Sequence, residues 1–401
     1  MTVSAALTPR VRARVRALLG QRKLDGWLLF DFHGLDPVAT RVLGVEGLAT
    51  RRLFVLLPAA GRPVAVAHRD ELGRLEGFPG EIRPYAAWRE MEQELSRLLA
   101  GKTVAMAYSP RDAVPDLDLV PAGVLELVRA SGAQVVSSAD LVTDLAARWS
   151  PEEMEVQRRA AAALKSIALA AFEHVRAEFA AGGRPTEYGV QQWVLEAMAR
   201  DDLSTDDPPR VGSGANTADP RHEPTRDADI AVRKGEVLLL ALRGGVRADT
   251  VHADQTWMAF VGRTPPDEVE QVWKVVRDAR DQVVAVLGDR WREGWSVTGA
   301  DLDDAARKVV TAAGYGEQFV HRTGHSIDRA LHGSGPHLDN YETHDDRVLA
   351  PGVGFSVEPG IYLAGRFGVR SGINVVMHEE GPEVTPEGPQ QDLVRLDVPL
   401  A

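Results

Sequence analysis

Apolar and polar positions divide the chain into two stretches of different texture. Up to residue 150, helical and strand patterns alternate. TPRVRARVRALLGQRK has apolar residues at helical spacing and predicts an amphipathic helix, and GWLLFDF predicts a buried strand. RRLFVLL and PVAVAH predict paired strands across PAAGR. WREMEQELSRLLA then predicts a helix, KTVAMAY a strand, DLVPAGVLELVRASG a helix and AQVVSS a last strand. The boundary falls at SPEEMEVQRRAAAALKS, where Ser150 and Glu153 have capping-box spacing and Pro151 suits the first helical position. Beyond it the pattern predicts a long helix, a helix over 186–200, an irregular stretch over 202–229, and a hairpin over 237–262. Helices over 266–288 and 298–313 follow, and then strand-rich and loop-rich chain to the end. The expectation is an α/β domain over 1–149 and an α+β domain over 150–401.

The chain has 401 residues with 44% hydrophobic and 26% charged content, ordinary for a globular protein with two domains. Its apolar runs are only strand-length, and the first twenty residues lack a signal-peptide core, so a cytoplasmic protein without a membrane partner is expected. The absence of Cys excludes disulfides, thiolate metal sites and cysteine nucleophiles. A net charge of −12, with the acidic excess after residue 150 and no basic stripe, gives no footprint for nucleic acid.

Against this background a few polar residues stand out. Asp254 interrupts the second strand of the hairpin, in HADQTWMAF, where a buried carboxylate needs a positive partner. Glu358 interrupts FSVEPGIYL; its partner is either an arginine, with Arg366 and Arg370 near in sequence, or a metal ion. FVHRTGHSIDRALHG holds His321, His325 and His332, and predicts a strand, a turn and a short helix. These histidines are either solvated loop residues or part of a site; three within twelve residues beside apolar strand positions favours the site. His222 ends the loop GSGANTADPRH, a weaker signal. Asp254, His325 and Glu358 form an O/N/O set, and three protein ligands with an open position is the layout of a catalytic zinc site.

HADQTW, HRTGHSI with the later His332, FSVEPGIY and GVRSGIN resemble, in order, the motifs of the pita-bread metallopeptidases of family M24, above all its Xaa-Pro dipeptidases and aminopeptidases. The resemblance covers nearly the whole chain. It implies a creatinase-type α/β N-terminal domain, an α+β pita-bread catalytic domain and a homodimer. It also implies two metals on five ligands, of which Asp254, His325 and Glu358 match three. The first Asp belongs opposite Asp254, near Ala241 or Arg243 depending on the gap, yet no acid lies from 237 to 248. Asp249 is too close to Asp254, and its odd offset turns it to the other strand face. The last Glu falls at Gly372. In the family pattern both missing carboxylates serve one metal, so the expectation is a mononuclear site holding one divalent ion, with zinc first and manganese second. His222 and His332 match positions that contact the substrate carbonyl or leaving group, and Glu358 is expected to move the proton. Asp328 stands where the family has a small residue. It pairs either with a neighbouring histidine or with Arg329.

Arg243 and Arg370 lie close to the vacated ligand positions and, with His321, are the expected substrate contacts. Guanidinium groups grip carboxylates in bidentate fashion. The expected activity is therefore exopeptidase cleavage of short peptides with release of the C-terminal residue. Xaa-Pro dipeptidase or aminopeptidase activity is the first alternative. A non-catalytic peptide-binding relative is the second, and a metal-free hydrolase using His222 and Glu358 is the third.

Overall fold

The computed structural model describes residues 7–44, 50–247, 250–329 and 333–398. They fall into two compact units, Met1–Ala146 and Ala147–Ala401.

The first unit is built on six strands: β1 (Gly26–Asp31), β2 (Leu53–Pro58), β3 (Val64–His68), β4 (Glu81–Tyr85), β5 (Thr103–Met106) and β6 (Gln134–Ser137), in the order β4-β3-β2-β1-β5-β6. All six residues of β1 are buried, so both faces of the sheet are covered. Period-two alternation sorts its side chains. Trp27 and Leu29 join one apolar cluster with Leu19, Val55 and Leu141, while Leu28 and Phe30 join the other with Phe54, Met91 and Leu95. Strand β4 and the helix Ala139–Ala146 are additions to the elements expected from the pattern.

In the second unit, helix α1 (Pro151–Ala180) begins with the expected capping box. Glu153 N donates to Ser150 Oγ at 3.2 Å, and Ser150 N donates to Glu153 Oε2 at 2.8 Å. Helices α2 (Glu187–Arg200), α3 (Asp267–Arg292) and α4 (Gly299–Ala312) follow. The central sheet contains β7 (Arg210–Ser213), β8 (Val237–Gly244), β9 (Ala253–Phe260) and β15 (Val394–Arg395), in the order β15-β9-β8-β7. Strands β10 (Gly354–Val357), β13 (Ile373–His378) and β14 (Gly381–Thr385) form a second sheet, and β11 (Gly360–Leu363) pairs with β12 (Phe367–Arg370).

The β8–β9 hairpin separates two cores. Leu238, Leu240, Leu242 and Trp257 pack with Leu164 and Phe172 of α1 and Val194 of α2. Leu239, Ala241, Met258 and Phe260 pack with Trp273 and Val276 of α3 and Leu302 of α4. Arg243 and Asp254 continue this second face by strand alternation, at the end where apolar packing stops.

Two local expectations change. The stretch 202–229, expected to be irregular, contains β7 and a 3₁₀ turn at Gly214–Ala218. The described part of FVHRTGHSIDRALHG forms neither the expected strand nor a helix. It is extended and pinned by single bridges from Gly324 to Leu338 and from Ser326 to Phe355. Gly324 is required there, because a Cβ would stand 1.9 Å from the Ser356 carbonyl oxygen. No helix among the described residues is long and apolar enough to cross a membrane.

Candidate metal centre and substrate cavity

On the side of β9 away from β8, Gly372 bridges Thr256, and the pairing stops before Asp254. The side chain of Asn374 takes the strand's place. Its Oδ1 accepts from Asp254 N at 3.1 Å, and its Nδ2 donates to the Asp254 carbonyl. Gln157 of α1 donates to the same Oδ1 at 2.8 Å, and Thr385 Oγ1 donates to Gln157 Oε1 at 3.0 Å. This buried chain of satisfied amides fixes the carboxylate's origin.

Ser356 ties the other two groups together. His325 N donates to Ser356 Oγ at 3.0 Å and Ser356 N donates to His325 O at 2.8 Å. The Ser356 hydroxyl donates to Glu358 Oε1 at 2.9 Å. Glu358 N closes the loop on Thr323 O at 2.7 Å. His325 Nε2 consequently lies 3.3 Å from Asp254 Oδ2 and 3.3 Å from Glu358 Oε1, with ligand atoms of all three residues within 4.8 Å of one another. The partner of Glu358 is therefore this cluster and not Arg366, which pairs with Glu268.

The donor set fits a divalent cation. His325 Nδ1 lies 2.9 Å from the Ser326 carbonyl oxygen, which only accepts, so Nδ1 carries a proton. In the neutral ring the Nε2 lone pair then points at the space between two carboxylates, the arrangement of a metal-ligating histidine with its second nitrogen held. The electrostatics express the same demand for positive charge. Burial lowers the His325 pKa, but hydrogen bonding and charge from Asp254 and Glu358 outweigh it and lift the value to about 9. Burial would raise the Glu358 carboxyl, yet His325 and, more weakly, Arg370 hold it far below the usual range.

The register decides which residue faces Asp254. Arg243, not Ala241, stands directly across from Asp254, and Ala241 pairs with Thr256. The Arg243 side chain is 4% exposed, with Nη1 4.0 Å from Asp254 Oδ2 and Nη2 3.4 Å from His252 Nδ1. Gly372 bridges Thr256, and a Cβ on it would stand 2.6 Å from Thr256 N, so the backbone there has no room for a side chain. Arg370 lies beside it, with Nε donating to Thr256 Oγ1 at 3.0 Å. Asp249 falls outside the described residues.

The remaining candidates divide. His321 lines the cavity; its Nδ1 donates to Arg322 O at 2.7 Å, and its Nε2 sits 2.7 Å from the Tyr362 hydroxyl. Burial lowers the His321 pKa and pushes the Tyr362 phenol up to about 12, so the phenol donates to a neutral ring. His222 is held apart from the triad. Its Nε2 is 2.8 Å from Glu187 Oε2, and it lines a small crevice with Tyr362 and Arg370, not the main cavity. His332 falls outside the described residues. Asp328 is buried and accepts from Ser334 N and Oγ at 3.3 and 3.4 Å, while Arg329 pairs with Glu153, so the surface pair with Arg329 does not form. Sequence reasoning missed Glu187, which is fully buried and also accepts from Ser213 N at 2.6 Å and from Asn216. In sequence it looks like an ordinary acidic residue in a helix's first turn. It also missed Asn374, although a lone amide within INVVM interrupts an apolar strand as Asp254 does.

Asp254, His325, Glu358, Arg243 and Arg370 line one cavity of about 620 Å³.

Comparison with known proteins agrees with this architecture. The model of metallopeptidase family M24 matches residues 155–379. A probable dipeptidase PepE of Mycobacterium tuberculosis is 32% identical over 387 residues, covering 90% of this chain and 96% of that protein. An Xaa-Pro dipeptidase of Lactobacillus helveticus is 34% identical over 160 residues, 40% of this chain and 39% of that protein. The crystal structure of dipeptidase PepE from Mycobacterium ulcerans superposes with a TM-score of 0.73 at 26% identity, over 99% of this chain and 100% of that one. With the pita-bread fold, the ordered motifs and these matches together, the chain belongs to metallopeptidase family M24 and is a hydrolase of that family.

Proposed function

We propose that this protein is a one-metal exopeptidase that removes the C-terminal residue of short peptides. The observation that carries the reading is the pairing of Arg243 with Asp254 in the hairpin, beside a triad with three ligand atoms and no further carboxylate among the described residues of the ligand cluster. Asp254, His325 and Glu358 would hold the ion. Zinc is the ion that suits one nitrogen and two oxygen ligands with an open position best, with manganese next. A divalent ion so held makes hydroxide available near neutral pH and polarises a carbonyl.

The chain's own groups do the rest. Arg370, next to Tyr362, and Arg243 offer guanidinium forks to a substrate carboxylate. The Tyr362 phenol, in the adjoining crevice, holds its proton on His321, which lines the cavity. Glu358 receives the proton on the oxygen that Ser356 does not engage. By the family resemblance His332 would steady the oxyanion, while His222, fixed by Glu187 in the crevice it shares with Tyr362 and Arg370, would serve the leaving group from that side. A dipeptidase also releases a C-terminal residue, so the names of the PepE relatives accord with this polarity. The Xaa-Pro dipeptidase relatives favour the second reading, in which proline follows the scissile bond.

Metal analysis of the purified protein tests the first half: one divalent ion per chain is expected, and two would refute the mononuclear site. Polarity is tested with one tetrapeptide offered free, N-acetylated and C-amidated. Cleavage should survive acetylation and fail on amidation; the reverse pattern refutes the proposal. Arg370→Ala should raise KM for the free acid, and an unchanged KM removes that arginine from carboxylate recognition.

A further inference from the structure

The cavity holds more positive charge than a single substrate carboxylate uses. Five arginines line it, Arg210, Arg221, Arg243, Arg322 and Arg370, in a chain whose net charge is −12. Four carboxylates face them, and each has other business. Asp254 and Glu358 belong to His325. Asp207 lies 3.8 Å from Arg210. Glu342 accepts the backbone N–H of Arg322 at 2.9 Å and not its guanidinium. Arg243 faces Asp254 and His252, and Arg370 bonds Thr256. Among the described residues, Arg221 and Arg322 have no ion-pair partner. Both line the cavity, so neither guanidinium is committed to a carboxylate of the chain and both are available to an anionic ligand that enters it. A concave surface focuses such a field onto an anionic ligand, even on a protein of opposite net charge.

We propose that the site selects acidic peptides, those with Asp or Glu as the C-terminal residue. On the exopeptidase reading above, on which this rests, Arg370 takes the terminal carboxylate, and Arg221 and Arg322 take the side-chain carboxylate. Each acid then has its own guanidinium partner, the pairing that charge-assisted hydrogen bonds favour over neutral amides.

The test compares Ala-Ala-Glu with Ala-Ala-Gln, and Ala-Ala-Asp with Ala-Ala-Asn, by kcat/KM on the purified protein. Reduced-amide analogues of the same peptides, which cannot be hydrolysed, are compared by calorimetric binding. The acidic member of each pair should be favoured about tenfold at low salt, as for a rim contact between charges. The ratio should narrow as ionic strength rises and fall toward unity in the double variant Arg221→Ala/Arg322→Ala. Arg322→Lys, which keeps the charge, should retain part of it. Equal turnover and equal binding within each pair overturns the proposal while leaving the exopeptidase reading standing, and so does a preference that survives in the double variant. If no peptide is cleaved, the exopeptidase reading fails, and binding of the reduced-amide pairs still decides the acidic selectivity.

Discussion

Asn374→Ala should damage both the stability of the second unit and its affinity for metal. The side chain is fully buried and satisfies three groups: the N–H and carbonyl of Asp254 and the amide nitrogen of Gln157. Truncation leaves all three without partners in a dry environment. At about 1–3 kcal/mol for each unsatisfied buried group, the cost is about 3 kcal/mol or more. The upper end requires that no water enters the small space the amide vacates. Because the lost bonds anchor the backbone of Asp254, a proposed ligand, metal affinity should fall by about 10–100-fold, as for other groups that orient ligands from behind. Urea unfolding of the metal-free protein gives the first quantity, and competition against a chromophoric chelator gives the second. A destabilisation below about 1 kcal/mol with unchanged metal affinity would show that Asp254 is held by β8 alone and would refute the role assigned to the amide.

Two further substitutions probe other parts of the chain. Asp36, buried in the first unit, caps the helix Pro37–Leu43 by accepting from Val38 N and Ala39 N, and burial lifts its pKa to about 6. The folded state then binds a proton more tightly than the unfolded chain, so stability is greatest below the unfolded value of about 4 and is lost as pH rises to about 6. Asp36→Asn, which keeps a capping oxygen, should remove that decline and stabilise the unit at pH 7 by about 2 kcal/mol in urea unfolding; an unchanged pH profile would count against a protonated Asp36. Gly372→Ala should destabilise by about 1–3 kcal/mol through its collision with the Thr256 backbone. A neutral effect on thermal unfolding would mean the two strands separate easily enough to admit a carboxylate.

Much of the site was legible because its residues violate the apolar pattern around them. Asp254 and Glu358 each break a buried strand, and the demand for positive charge that this implies is met at His325. The capping box at Ser150 marked a helix start to the residue, while the compact units divide at Ala146 and Ala147, a few residues before it. Other features left weaker traces. The choice between Ala241 and Arg243 opposite Asp254 depended on the length of the turn, which periodicity alone does not fix; a pairing register settles it. Glu187 could not be read, since nothing in EYGVQQW distinguishes a carboxylate that turns inward to hold His222 from one that faces solvent. The conformation of His321–Ile327 was misjudged for a related reason. It is extended by contacts with Ser356 and Leu338, each more than ten residues away in sequence, and local propensity carries no record of them.

The Arg243–Asp254 pair has a consequence for how the site behaves in a changing environment. A guanidinium keeps its proton throughout the physiological range. The positive charge on that side of Asp254 is part of the polypeptide, present from the moment the hairpin folds and insensitive to pH or to which ions are in supply. On the proposed one-metal reading, only the His325 side would exchange its cation with the surroundings. A cell short of divalent metal would then have one position per chain to load, with the charge beside it already in place.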